Sequence, residues 1–174
     1  ERLGRMHMPW NLDSWDGYPA ARERFLQACA ANAANAVVLG GDSHNTWVNN
    51  LAAPGDASRM AAIEFAGASV TSPGLEQAMS AAAPGAREAM MHNANPHLAY
   101  CDVTNRGYGV LKFTRAACEA EWVAFANVET PELAAPAITK SSSPTCCRPW
   151  RMRSTSTSTI TASSHLRRRS RSYS

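Results

Sequence analysis

A layered α/β fold is predicted by the order of two segments and by the size of the chain. A helix-like run that starts at Pro19 is followed directly by a short apolar strand, Ala36 to Leu39, and helix-then-strand alternation is what layered α/β domains are built from. The 174 residues are enough for one domain with its own core.

Taken in order, Pro19 suits the first turn of a helix that runs through Arg22 to about Asn32, with Phe25, Leu26 and Cys29 as its apolar stripe. Ala36 to Leu39 reads as a buried strand that stops at Gly40 and Gly41, a pair suited to a tight turn with unusual backbone angles. After the Asn-rich stretch Asn49-Asn50-Leu51 and a turn at Pro54-Gly55-Asp56, a second strand is expected from Ala61 to Ala66. Glu64 interrupts its apolar run, so that carboxylate is either paired structurally or close to a site.

Leu75 to Asn93 is rich in Ala and Met and broken at Pro84-Gly85, which fits two short helices or a cover over the site, with Met79, Met90 and Met91 as packing residues. Three strands are expected beyond it, Leu98 to Asp102, Gly107 to Phe113 and Ala117 to Phe125. Hairpin turns are placed at Thr104-Asn105-Arg106-Gly107 and Thr114-Arg115-Ala116. Alternation in Cys118-Glu119-Ala120-Glu121-Trp122 suggests one solvated face.

The stretch from Val37 to Trp47, Val-Val-Leu-Gly-Gly-Asp-Ser-His-Asn-Thr-Trp, carries most of the chemistry. A strand that stops at paired glycines delivers the next side chains to the mouth of a sheet. In extended backbone, Asp42 and His44 would then point to one side. A carboxylate and an imidazole so placed can share a metal, with Trp47 as a wall; the alternative is a capping Asp and a solvated His. Upstream, Trp15-Asp16-Gly17-Tyr18 stands just before the helix. It reads either as a structural cap or, with Arg22, as a group that orients an anion through a planar guanidinium and an aromatic edge. Asn45 could donate to the same anion, and His97, after Asn95-Pro96, reads as a hydrogen-bonded surface residue.

Several motifs occur together: Met8-Pro9-Trp10-Asn11-Leu12-Asp13-Ser14-Trp15-Asp16-Gly17-Tyr18, the Gly-Asp-Ser-His-Asn-Thr-Trp stretch, Ile63-Glu64-Phe65-Ala66-Gly67-Ala68-Ser69-Val70-Thr71-Ser72-Pro73-Gly74 and Asn95-Pro96-His97-Leu98-Ala99-Tyr100. In this order they resemble the C-terminal part of the alkaline phosphatase D (PhoD-like) family of metallophosphoesterases, over roughly Met8 to Val128. The resemblance implies a four-layer α/β/β/α sandwich of two packed sheets. This chain would supply the second sheet and closing strands of an incomplete core, in a piece of a longer enzyme that begins after its first metal-binding strands.

The resemblance also implies hydrolysis of phosphate esters by a metal-activated water. Cations about 3.5–4 Å apart acidify a bridging water and hold the phosphoryl oxygens. Asp42 and His44 match the family's late Gly-Asp-x-His motif and are the catalytic and metal-ligand candidates, with iron and calcium as the implied cofactors. Trp15, Asp16, Tyr18, Arg22 and Asn45 are the substrate-binding candidates. Two ligands rarely hold a metal firmly, so the missing N-terminal half of the domain is an implied partner beside the phosphate ester, and the chain alone is expected to be inactive. Family members are often exported, and no signal peptide opens this sequence.

Charge is uneven. Glu1 to Thr139 holds 14 acids against 9 Lys and Arg, whereas Lys140 to Ser174 holds 8 bases and no acid. That tail, with Ser141-Ser142-Ser143, alternating Ser and Thr from Ser154 to Thr159 and Arg167-Arg168-Arg169, buries too little apolar surface to offset chain entropy and is expected to be disordered. Its arginines support a second reading, a non-catalytic basic-tailed module that neutralises nucleic-acid phosphates. The five cysteines, Cys29, Cys101, Cys118, Cys146 and Cys147, make no metal-ligand spacing; Cys29, Cys101 and Cys118 read as buried free thiols, and no apolar run approaches the length of a membrane span.

Overall fold

The computed structural model describes residues 11–33, 35–115, 117–125, 127–130 and 137–144. Helix α1, Pro19–Asn32, begins where proline's missing N–H costs nothing and ends at the extended residue Ala33, whose N–H reaches Cys29 O at 3.0 Å. Leu26 is its buried contact, packed on Ala53 and Ala61 with Cys29 and Ala30 at the margin. Phe25 leaves the expected stripe and stacks instead on Trp15, ring centroids 5.5 Å apart.

The larger sheet contains β1 (Ala36–Gly40), β2 (Thr46–Ala53), β3 (Asp56–Ala66) and β4 (Leu98–Asp102) in the order β1-β3-β2-β4. Strand β1 runs parallel to β3, and the other two pairs are antiparallel. Strand β2 is one of two strands that sequence reading missed. Asn49 and Asn50 weaken its local signal, yet pairing on both sides fixes it, because β propensity yields to tertiary context. Strand β3 starts at Asp56, earlier than expected, because it continues the hairpin through Pro54-Gly55, where Gly55 takes the left-handed φ of 79°. Strand β1 is half-buried rather than buried, with Leu39 62% exposed, since β3 is its only partner among the described residues.

The smaller sheet is antiparallel, β5 (Arg106–Phe113), β6 (Ala117–Phe125) and β7 (Ala137–Pro144). Alternation along β6 turns Cys118, Ala120 and Trp122 inward, where they meet Val48 and Phe65 of the larger sheet. Burying Val48 and Phe65 contributes about 1.5–3 kcal/mol each. The Trp122 ring occupies the space beside Gly109, whose added Cβ would lie 2.2 Å from it, so only glycine fits there.

The short helices α2 (Leu75–Ala78) and α3 (Ala86–Ala94) bring Leu75 and Met91 onto Leu98, Cys101, Val103 and Trp47, the side of the larger sheet away from the smaller one. Among the described residues, helices, larger sheet and smaller sheet form a mixed α/β arrangement of three layers. Among those residues no helix is long and apolar enough to cross a membrane.

Two expectations need correction. The Thr104-to-Gly107 link is not a hairpin turn, because β4 and β5 belong to different sheets. It is a crossing held by Asp102, whose Oδ1 accepts from Thr104 N and Asn105 N at 3.0 and 2.8 Å. Lys140 to Pro144, assigned to the disordered tail, instead continues β7 along β6, because a ladder of backbone hydrogen bonds orders a strand without apolar side chains. Residues 145–174, with Cys146, Cys147 and the arginine run, lie outside the described residues.

Candidate functional site

The loop from Gly41 to Asn45 leaves the C-terminal end of the parallel pair β1 and β3, the edge at which open α/β sheets bind ligands. Its backbone is not the extended one expected. Asp42 has φ 67° and His44 φ 60°, the only non-glycine residues in the left-handed region among those described, whereas Gly40 and Gly41 are not in it. Ser43 N donates to Gly41 O at 2.7 Å between them. Such conformations cost on the order of 1 kcal/mol each and concentrate at functional sites.

His44 is held from two directions. Its Nδ1 lies 2.7 Å from Pro73 O, and its own carbonyl accepts from Ser69 N at 3.4 Å. A carbonyl can only accept, so Nδ1 carries a proton, and in the neutral form of the ring the lone pair is on Nε2. Asp42 is exposed, and its carboxylate makes no hydrogen bond or ion pair among the described residues. Asn45 is 0% exposed; Oδ1 accepts from Leu75 N at 3.0 Å and Nδ2 has no partner among the described residues. Asn45 therefore fixes the loop from beneath rather than offering its amide at the surface. Trp47 does likewise, donating through Nε1 to Ser43 Oγ at 2.7 Å.

Glu64 finds the structural partner that was one of its two readings: Asn49 Nδ2 donates to Oε2 at 2.8 Å from the adjacent strand. The upstream candidates form a separate exposed cluster. Ser14 caps a single 3-10 turn, Trp15–Gly17, and Gly17 is required there because an added Cβ would lie 1.8 Å from Leu12 O. Arg22 Nη1 pairs with Asp16 Oδ1 at 3.3 Å, Trp15 stacks on Phe25, and Tyr18 is exposed. Among the described residues no hydrogen bond or ion pair joins this cluster to residues 41–45. The structure thus brings Asp42, His44 and Asn45 together in one loop, and Trp15, Asp16, Tyr18 and Arg22 in another group.

Polar groups that sequence reading passed over lie on the next elements. Arg106, 7% exposed, donates through Nη2 to Glu76 Oε1, and both Glu76 oxygens accept from Gly74 N at 3.1 and 3.0 Å. Burial alone would raise the Glu76 carboxyl, but the Gly74 N–H and the Arg106 guanidinium outweigh it and hold it below its ordinary value. An arginine opening an apolar strand was the available signal. A cleft of about 250 Å³ between α3 and β4 is lined by Glu88, Tyr100, Cys101, Asp102, Thr104 and Asn105. Burial there, with the nearby Glu88 and Asp102 charges, pushes the Cys101 thiol up to about 12.

The donor set can be tested against a metal directly. Among the described residues no three His, Cys, Asp or Glu side chains gather as a complete metal cluster. The loop offers one hard carboxylate and one imidazole whose Nδ1 is fixed by the Pro73 carbonyl, which fits a share of a centre rather than a whole one.

The profile of PhoD-like phosphatases matches residues 2–122. The chain belongs to the PhoD-like phosphatase family. Alkaline phosphatase D of Bacillus subtilis (strain 168) is 37% identical to it over 102 residues, 57% of this chain. A solved structure of PhoD superposes with a TM-score of 0.64 at 27% identity, covering 83% of this chain. The chain spans 16% of the length of the first relative and 27% of the second. The matched span contains both PhoD-like motifs discussed above, the Trp15-to-Arg22 turn and the Asp42-to-Asn45 loop.

Proposed function

We propose that this chain supplies part of the metal centre of a phosphoester hydrolase, with Asp42 and His44 as ligands and the remaining ligands contributed by polypeptide outside it. The observation that supports this most is the pair of left-handed residues: the two side chains singled out by the motif are the two held in unfavourable backbone conformations. Iron and calcium are the cations the resemblance implies, and bound cations of this kind acidify a water and neutralise charge on phosphoryl oxygens.

The chain's own residues bind and orient. Asp42 presents a hard oxygen donor free of competing partners among the described residues, and His44 presents Nε2 because Pro73 holds Nδ1. Arg22, engaged with Asp16 through Nη1, and the exposed Trp15 and Tyr18 are proposed as substrate-side groups, Asp16 as the residue that aims Arg22, and Asn45 as the support beneath the loop. The parent enzyme is proposed to be exported, as the resemblance implies.

The test is an assay on a generic aryl phosphate at alkaline pH, with iron and calcium supplied, beside the Bacillus subtilis relative as control. The isolated chain should show no chelator-sensitive turnover. The same residues within the longer parent polypeptide should show it, and Asp42→Asn there should lower it by at least about 100-fold, since the water is activated by the metals. Full activity of the Asp42→Asn parent would overturn the ligand assignment. Turnover by the isolated chain comparable to the parent's would overturn the shared centre.

A further inference from the structure

We propose that Arg106 and Glu76 are positioning residues for His44: together they clamp the Ser69-to-Leu75 loop that sets the imidazole's tautomer and direction. The inference rests on the reading of His44 as a ligand only for its consequence, while the clamp itself is read from hydrogen bonds. Arg106 opens β5 in the smaller sheet and reaches Glu76, which takes Gly74 N on both oxygens. The adjacent carbonyl, Pro73 O, is the one that holds His44 Nδ1. The neighbouring N–H, Leu75 N, is tied to the fully buried Asn45. A second tie runs alongside, from Gly107 N to Ser69 O at 3.0 Å and from Ser69 N to His44 O at 3.4 Å.

Three consecutive backbone groups of one loop are therefore anchored to different side chains, and the free end of that anchoring is the imidazole. Gly74 shows how tightly the pieces fit, since an added Cβ would lie 2.5 Å from Asn45 Nδ2. A buried guanidinium paired with a carboxylate is geometrically demanding, which suits a clamp better than an apolar contact of the same volume. Arg106 touches neither the candidate metal position nor the substrate cluster in any hydrogen bond among the described residues. It acts through Glu76, Gly74 and Pro73.

The experiment reads the ring directly. In the full 174-residue chain labelled with 15N at histidine, a long-range proton–nitrogen spectrum at a pH where imidazole is neutral reports the tautomer, with His44→Gln assigning the signal. The native chain should show the proton on Nδ1. Removing both members of the pair, Arg106→Met with Glu76→Leu, leaves no orphaned buried charge and should retain the amide pattern of the two sheets. In that folded variant His44 should shift to the mixture of tautomers seen in a free side chain, dominated by the proton on Nε2. Manganese(II), used as the probe, should bind residues 41–45 about tenfold more weakly. Arg106→Lys, which keeps the charge, should retain the Nδ1–H form. If the double variant does not fold, Arg106→Gln with Glu76→Ala, which likewise removes the acceptor of Gly74 N and leaves no unpaired charge, supplies the comparison.

An unchanged tautomer in a folded clamp-less variant overturns the proposal, as does a native chain with its proton on Nε2. If the tautomer responds as expected while manganese leaves residues 41–45 unaffected, the clamp stands and the metal assignment falls.

Discussion

His44 Nδ1 and the Pro73 carbonyl oxygen, 29 residues apart in sequence, meet at 2.7 Å. That contact makes the difference between a solvated histidine and one with a defined donor atom, because the carbonyl commits Nδ1 to donating and leaves Nε2 as the ring's available lone pair in the neutral form. Asp42, two residues earlier, is exposed and has no partner of its own among the described residues.

Asp42 is expected to show opposed effects on stability and chemistry. At φ 67°, Asp42→Gly removes a steric cost and should raise the unfolding free energy by about 0.5–1 kcal/mol, whereas Asp42→Val should lower it by more than about 1 kcal/mol. Urea denaturation of the chain checks both signs. Equal effects from the two substitutions would show that the left-handed turn is not maintained in solution.

Gly74→Ala forces a Cβ to within 2.5 Å of Asn45 Nδ2, a side chain with no room to retreat because it is 0% exposed. A loss of about 1–3 kcal/mol is expected, as for other overpacked sites. The His44 ring proton should exchange faster in the same variant. Gly41→Ala, with nothing within 4 Å of its added Cβ, is the control that should leave both unchanged.

Acid should release the Glu76 clamp. The folded carboxyl lies below its ordinary value despite burial, because Gly74 N–H and Arg106 favour the ionised form. A depressed carboxyl contributes stability above the unfolded value of about 4.3, and that contribution is lost as pH falls through the lower folded value. Stability measured across that acidic window should decline less steeply in Glu76→Gln than in the native chain. Parallel slopes would remove Glu76 from the account.

Cys101 should be inert while the chain is folded. Burial first, and then the Glu88 and Asp102 charges, push its thiol up to about 12, so almost no thiolate exists near neutral pH. Thiol reagents followed by peptide mapping should modify the half-buried Cys29 well before Cys101. The raised value also has a stability consequence: its contribution is intact below the unfolded thiol value near 8.5 and declines as pH rises from there toward the folded one. Rapid labelling of Cys101 in native buffer would contradict the packing of α3 on β4.

The parts of the fold legible in the sequence were those with a local signature. Pro19 marked α1, Pro84-Gly85 separated two short helices, and the alternation around Trp122 marked an inward and an outward face. Strand β2 was hidden because its two asparagines owe their conformation to neighbours on both sides. Strand β7 was hidden because serine and threonine carry little apolar pattern, and its order comes from β6. At the site, residue types were readable and backbone was not: paired glycines suggested where the unusual angles would fall, and they fell on Asp42 and His44. The Arg106–Glu76 pair spans 30 residues and two elements, a relation that no local spacing encodes.

The most direct measurement of the central claim is where a cation settles on this chain. Manganese(II), added at millimolar concentration to the labelled chain, broadens nuclear resonances close to it even when binding is weak. Broadening centred on Asp42 and on the Nε2 side of His44, abolished by Asp42→Asn and by His44→Gln, is the predicted result. Broadening centred instead on Glu88 and Asp102 in the cleft beside α3, or unchanged by both substitutions, would contradict it.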